Sequence, residues 1–458
     1  MATLSHHPLP SGKVRRMDAS AGRGAARDAD VVVVGGGLAG LTAANFAAKA
    51  GAATILLERA SGVGGRAATH DENGFRFNVG PHALYDGGPA HRILTGLGVR
   101  FSGRKPAASG GLAYNSGGLS ALPGGFVSLL TTDLLTLSGK LELGSVLGSL
   151  GRIDAARLEG QTLRQWLDAT FRDEVVRGLV EALMRVTAYA NDPERSSAAA
   201  SVAQLQAGLG KGVLYLDGGW ETLASGLRES AEASGAVVRT GARVRSVKAG
   251  GGGVDVSLDD GETVRARVAI LAVPPPVAAA LAEGEGAATL ARWAEEAIPV
   301  KAACLDLGLR RLPDPRRLFV VGIDRPWYFS VHSATARLAP EGAALVHVAK
   351  YLGPEPGDPK AVEAELEEFC DAVQPGWRAE VAERRYLPSM LVTGALVAAG
   401  WKRPGPEVPG APSLLVAGDW VGAESMIADT AVSSGRAAGI EAARRCEQVA
   451  ASAARDFV

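Results

Sequence analysis

Cysteine is nearly missing from this chain: Cys304, Cys370 and Cys446 are the only three in 458 residues. They are too few and too far apart for a disulfide framework or a zinc site, and no other metal-ligand spacing stands out. A reducing, cytoplasmic setting is the simplest reading. No apolar run reaches the roughly 18 residues that a membrane-spanning helix needs, which leaves peripheral membrane contact open. Net charge is also lacking, with 48 Lys and Arg against 49 Asp and Glu. No global basic field exists to hold nucleic acid. Residues 1–29 are rich in Gly, Ala, Ser and Arg and lack the apolar segment of a secretory signal, so they read as a disordered leader. No Ser–His–Asp set and no paired-carboxylate signature is evident.

Apolar residues, in contrast, are plentiful at 47%, enough for a large core. Length alone suggests roughly three domain-sized units, though interleaved two-domain enzymes also reach it. The most informative block comes early. Val31-Val32-Val33-Val34 is a β-branched run suited to a buried parallel strand. Gly35, Gly37 and Gly40 follow in G-x-G-x-x-G register, with Leu38 and Ala39 between the last two. A helical stretch comes next, then the strand Thr54–Leu57, which ends in Glu58. The first glycine permits the tight turn, the second lets backbone approach a pyrophosphate, and the third lets helix pack close to strand. The helix start offers unpaired N–H groups to phosphate. Glu58, eighteen residues after Gly40, stands where a carboxylate bonds ribose hydroxyls. An acid there disfavours a 2′-phosphate, so NADP does not suit this pocket.

Arg59 opens a run that contains Gly64-Gly65-Arg66, and Gly80-Pro81-His82 follows. Leu216-Asp217-Gly218-Gly219-Trp220 precedes a helix at 221–234. Ser413–Val416 reads as a strand leading to Gly418-Asp419, and Asp429-Thr430-Ala431 opens a helix. Together these resemble the amine oxidase and phytoene desaturase superfamily of flavoproteins over residues 30–445. The resemblance implies an α/β fold: a Rossmann-type FAD-binding domain (30–85, 214–274, 405–446) interleaved with a mixed α+β substrate-binding domain (86–213, 275–404). It implies FAD as cofactor, with Arg66 reaching the phosphates and Gly65 letting the chain pass. It places the Gly80-Pro81-His82 turn against the flavin, the Val244 backbone by the adenine, and Gly418-Asp419 by the ribityl or phosphate region. It aims the N–H groups at Thr430 and Ala431 toward the flavin pyrimidine, where reduction puts negative charge. The family usually carries Glu-Gly-Ala where this chain has Asp429-Thr430-Ala431. No cysteine stands near this last block, so reversible, non-covalent binding is expected.

The Leu-rich stretch Phe126–Leu150 reads mainly as core, with a remainder suited to an apolar tunnel. Leu163–Ala190 is amphipathic at helical spacing. The segment Trp327-Tyr328-Phe329 with His332 fits either a pocket wall or a half-buried strand. Lys301 sits in an apolar strand of a chain with ten lysines and thirty-eight arginines, where amine oxidases of the family place a lysine near flavin N5. A strand-end lysine reaching solvent is an equal reading. His82 is the other candidate for chemistry, though a lone histidine is more often structural.

Three enzymatic functions follow from the resemblance, beside a blander reading in which the chain binds FAD but has lost its chemistry. The first is a desaturase or dehydrogenase passing hydride from a hydrophobic polyene, isoprenoid or polycyclic substrate to flavin N5, where positioning matters more than acid–base groups. The second is an amine or porphyrinogen-type oxidase using O2. An aliphatic residue at Ile427, where amine oxidases commonly have an aromatic ring, argues against a simple amine. The third is a non-redox polyene isomerase. The expected partner is a small hydrophobic substrate; nucleic acid is not expected, and oligomeric state cannot be read.

Overall fold

The computed structural model describes residues 27–107, 109–423 and 425–455. Of the expected leader, residues 1–26 lie outside these, while Asp28 and Ala29 donate their backbone N–H groups to the Arg265 carbonyl. The protein is α/β, as expected. A parallel five-stranded sheet runs in the order Val237–Arg239, Thr54–Leu57, Val31–Val34, Val268–Leu271, Leu414–Val416. All four pairings are parallel. Val31–Val34 lies at the centre with every side chain buried, which is why it reads as an unbroken β-branched run rather than an alternation.

Two helices from opposite ends of the chain cover one face of this sheet. The first is Leu38–Lys49 and the last is Ile427–Arg455. They cross on small residues. A Cβ on Gly435 would stand 2.3 Å from the Ala39 carbonyl oxygen, and one on Gly439 would stand 2.4 Å from that of Ala43. The helix Glu221–Ala233 packs beside them, tied by Asn45 Nδ2 donating to the Leu227 carbonyl at 2.7 Å. A small sheet built on the hairpin Gly253–Leu258 and Thr263–Ala266 lies on the other side of the chain's first core.

The interleaved part centres on a seven-stranded sheet. Its order is Val381–Thr393, Val300–Leu309, Ala344–Tyr351, Trp327–Val331, Phe319–Gly322, Leu112–Asn115, Gly118–Ala121. Only the Phe319–Gly322 and Leu112–Asn115 pairing is parallel. The helix Pro359–Val373 backs it with Val362, Leu366, Phe369 and Val373. The amphipathic 163–190 stretch is two helices, Leu163–Thr170 and Glu174–Ala188. They part because Asp173 caps the second, accepting from Val175 N and Val176 N. Residues 126–150 likewise divide into Phe126–Thr131 and Leu137–Leu150, the second capped by Thr136 Oγ accepting from Gly139 N. Among the described residues no helix is long and apolar enough to cross a membrane.

Candidate cofactor and substrate site

The glycine turn is built as its spacing requires. Gly35 takes φ +107°, and a Cβ there would meet the Ala272 carbonyl oxygen at 2.5 Å. A Cβ on Gly40 would meet the Gly35 oxygen at 1.8 Å, so strand and helix touch through backbone. Gly37 differs: its added Cβ would find only the Gly64 oxygen, at 3.9 Å, and it opens on a cavity. Gly37 is also the N-cap of the first helix, with no side-chain cap and no acid in the first turn. Leu38 and Ala39 line the cavity beside it. The first-turn amides, which have no partners within the helix, are therefore left for an anion. Glu58 follows its strand and accepts from Gly36 N at 2.7 Å and Ala60 N at 2.8 Å. The segment expected at the adenine runs alongside, with Ala242 N donating to the Glu58 carbonyl and Gly241 N to that of Ala60. Val244 is half-buried there.

The cavity has a volume of about 2180 Å³, well above the roughly 300–1,000 Å³ of an ordinary ligand pocket. It runs from Gly37, Gly64 and Arg66, past Pro81, His82, Trp220, Gly418 and Asp419, to Ile427, Ala428 and Ala431 at the start of the last helix. Arg66 donates to the Val392 carbonyl at 2.8 Å and is ion-paired with Asp419, whose carboxylate also accepts from Gly394 N. Thr430 is buried behind this wall and bonds Arg403. Trp220 lines the cavity, and its buried Nε1 has no partner among the described residues. The volume, the uncapped helix start, Arg66 and this orphaned N–H fit an FAD with substrate room beyond it.

His82 stands edge-on to Trp220, ring centroids 4.8 Å apart. Its Nδ1 lies 3.0 Å from the Gly80 carbonyl, which accepts from it. Burial pushes its pKa down to about 4, against the pull of that carbonyl, so the imidazole is neutral. Lys301 is placed differently: its side chain is exposed and is not among the cavity-lining residues. The strand end carries it to solvent, as the alternative reading had it. Arg59 is likewise exposed and outside the cavity. Gly65 and Gly80 sit one residue from lining groups, at positive φ of 56° and 74°.

Beyond the flavin region the cavity wall is apolar, with one polar patch. The strand Trp327–Val331 is buried on both faces, so both readings of it hold in part. Trp327 and Phe329 join the core, while Tyr328 and Ser330 line the cavity with Tyr215 and Tyr189. Burial pushes the Tyr328 and Tyr189 phenols well up, so both stay protonated. The strand 327–331 signals aromatic residues but not which face each takes. At the other end, Val127, Leu130, Leu137, Leu141 and Leu209 line the cavity and are 56–76% exposed. The Leu-rich stretch thus splits: Leu135, Leu143 and Leu150 are core, and its exposed members form the mouth. Ile427, near the flavin end, is a β-branched residue held at φ 56°, a strained conformation of the kind that clusters at functional sites.

Comparison with known proteins places this geometry. A family model for flavin containing amine oxidoreductases matches residues 38–300. A carotenoid 3,4-desaturase of Haloarcula japonica is 54% identical over 52 residues, 11% of this chain and 10% of that one. The 15-cis-phytoene desaturase of Capsicum annuum is 27% identical over 271 residues, 54% of this chain and 46% of that one. The chain therefore spans from a tenth to about half the length of these curated relatives. Among solved structures, an oxidoreductase from Methanosarcina mazei superposes with TM-score 0.73 at 21% identity, covering 89% of this chain and 99% of that one. A putrescine oxidase variant gives TM-score 0.73 at 16% identity, covering 91% and 99%. These likenesses are of fold.

Proposed function

The chain belongs to the flavin containing amine oxidoreductases, and from that premise we propose that it binds FAD non-covalently and desaturates a long hydrophobic, polyene-like substrate. The observation that carries this reading is the cavity: one end offers the glycine turn, Arg66 and the last helix start, and the other opens through five exposed aliphatic side chains. Bound FAD would accept the hydride. The residues of this chain would bind and orient: the first-turn amides and Arg66 hold the phosphates, Glu58 the ribose, and the leucine-lined channel keeps water from the reacting carbon. No cysteine lines the cavity among the described residues, which supports reversible attachment. Ile427 lines the cavity at the position where the resemblance puts one ring of an amine-binding aromatic pair.

The purified protein is expected to show a visible flavin spectrum, with FAD released by heat. Phytoene in liposomes should bleach that spectrum without air, and a quinone should restore it. Conversion of the polyene without consumption of any acceptor would show an isomerase instead. A protein that stays colourless when offered FAD would overturn the reading.

The mouth supports a membrane partner. Lys140 and Lys211 line the cavity among the exposed leucines, pairing apolar groups with cations as interfacial proteins do. The protein is expected to float with vesicles containing anionic phospholipid. Leu137→Asp with Leu141→Asp, at positions 76% and 69% exposed, should abolish flotation and leave the flavin spectrum unchanged. A native protein that stays at the bottom of the gradient refutes this contact.

A further inference from the structure

Four tyrosines gather where the helix Glu174–Ala188 ends against the strands Trp327–Val331 and Ala344–Tyr351. Tyr189 stands edge-on to Tyr351, ring centroids 5.8 Å apart, and lies 6.5 Å from Tyr328; Tyr215 stacks on His332 at 3.8 Å. The protein itself accounts for three of the four hydroxyls. That of Tyr328 lies 3.4 Å from His332 Nε2, and Tyr215 is bonded to Tyr328 and Ser330. The Tyr351 hydroxyl is sealed in the interior and does not reach the cavity. Tyr189 differs. It lines the cavity, is half-buried, and makes no hydrogen bond to a described residue, yet its hydroxyl is not sealed off. A phenol set into an apolar wall ordinarily finds a partner for its O–H.

The backbone marks the same residue. Tyr189 ends its helix at φ 55° and ψ 17°, a left-handed position that glycine or asparagine usually fills. A tyrosine held there is strained, and strain of this kind collects at ligand-binding positions. Its N–H closes on the Arg185 carbonyl at 2.7 Å, and its ring is flanked by Tyr328 and Tyr351, so the hydroxyl is preset. We propose that Tyr189 sets substrate specificity: its hydroxyl bonds an oxygen atom of the substrate, which is therefore a polyene-like chain carrying a hydroxyl or keto group. The proposal rests on the desaturase reading, narrows its substrate class and leaves its hydride step as stated.

The surroundings favour an oxygen over the alternatives. A bare hydrocarbon lying along this wall would strip water from the phenol and give it nothing in return, the penalty by which polar sites reject apolar analogues. A cationic amine needs a carboxylate. Among the described residues the cavity is lined by two, Asp419 and Asp429; the first is ion-paired with Arg66 and the second accepts from Ala90 N at 2.8 Å. Burial keeps the Tyr189 phenol protonated, so it donates to a neutral oxygen and offers no charge to an ammonium. The tyrosines pack with Met390, whose Sδ would stand 2.5 Å from a Cβ on Gly80, in the turn that the resemblance sets against the flavin. The oxygenated part of the substrate then lies toward the flavin end, and its apolar remainder runs to the leucines at the mouth.

The test uses the full-length, FAD-loaded protein in detergent micelles, titrated with tritiated geranylgeraniol and, separately, with the same skeleton lacking the hydroxyl. The alcohol should bind about 10-fold more tightly, the worth of one good hydrogen bond. Tyr189→Phe, which removes a single oxygen atom, should weaken the alcohol to the level of the hydrocarbon and leave the hydrocarbon unchanged. Tyr351→Phe, in the same cluster but with no hydroxyl at the cavity, should keep the preference. Equal affinity of the native protein for the two ligands overturns the proposal, as does failure of both to bind. A preference that survives Tyr189→Phe overturns it, and so does one lost equally in Tyr351→Phe, which would assign the effect to packing. Binding needs no turnover. A preference that vanishes in Tyr189→Phe alone therefore stands even if no polyene bleaches the flavin, a result that would fell only the desaturase reading.

Discussion

Gly435→Ala is expected to weaken the fold by about 1–3 kcal/mol, the range for forcing an extra carbon into a tight contact, and to release much of the flavin. The added Cβ would fall 2.3 Å from the Ala39 oxygen and 3.0 Å from Thr42 Cβ. Both neighbours belong to the first helix, and a backbone carbonyl cannot turn aside as a side chain tip can. The last helix must then lift or slide. Its first turn carries Ala428 and Ala431 on the cavity wall, so the displacement reaches the cofactor. Gly439→Ala meets the Ala43 oxygen at 2.4 Å and should act similarly. Once the helices have separated the second substitution adds little, so the pair should cost less than the sum. Thermal melts with and without FAD, beside flavin content, check this. Unchanged melting and colour in Gly435→Ala would show that the two helices are not held by backbone contact.

Arg66→Met should act on stability and affinity at once. Asp419 is 2% exposed on its side chain and is paired with Arg66; removing the guanidinium leaves a buried carboxylate with, among the described residues, Gly394 N as its hydrogen-bond donor and Arg403 as a neighbouring positive charge. The arginine side chain is 39% exposed, so the loss should stay near the roughly 1–3 kcal/mol of a buried acceptor left without its donor. The lost charge-assisted contact to phosphate should weaken FAD binding by about 10- to 100-fold. The two effects separate in the double variant Arg66→Met with Asp419→Asn, which removes the stranded charge. Its melting temperature should recover most of the loss, while its FAD dissociation constant should stay high. A single variant with native FAD affinity would assign Arg66 to architecture alone.

The parts of the site that could be read in the sequence are those whose geometry is local. Gly35, Gly37, Gly40 and Glu58 lie within one strand–helix–strand unit, where spacing translates directly into position. Gly418, Asp419 and Ala431 belong to a second local unit at the same end of the cavity, where Asp419 pairs with Arg66. The buried cluster of Asp306 with His347 and Arg385 in the seven-stranded sheet was out of reach for the opposite reason. His347 is 41 residues from Asp306, and Arg385 is 79, so their meeting depends on the register of three strands. A strand buried on both faces also loses the alternation that would show which side Tyr328 and Ser330 take. Lys301 shows the converse error of position without orientation: it lies in the expected strand, yet its side chain points to solvent. The helices at 163–188 were legible as an amphipathic stretch, and the break at Asp173 shows in hindsight as an acid able to cap the amides two and three residues on.

The parallel sheet has a consequence for how the protein comes into being. Its last strand, Leu414–Val416, pairs with Val268–Leu271 and completes the order begun at Val31. The cavity wall closes only with residues 418–431. Until residues 268–272 and 414–431 have been made, the glycine turn lacks the strand it packs against and the facing wall of the cradle does not exist. A nascent chain released early would therefore be colourless and would expose an apolar trough. Flavin capture is thus expected to follow the synthesis of residues 418–431.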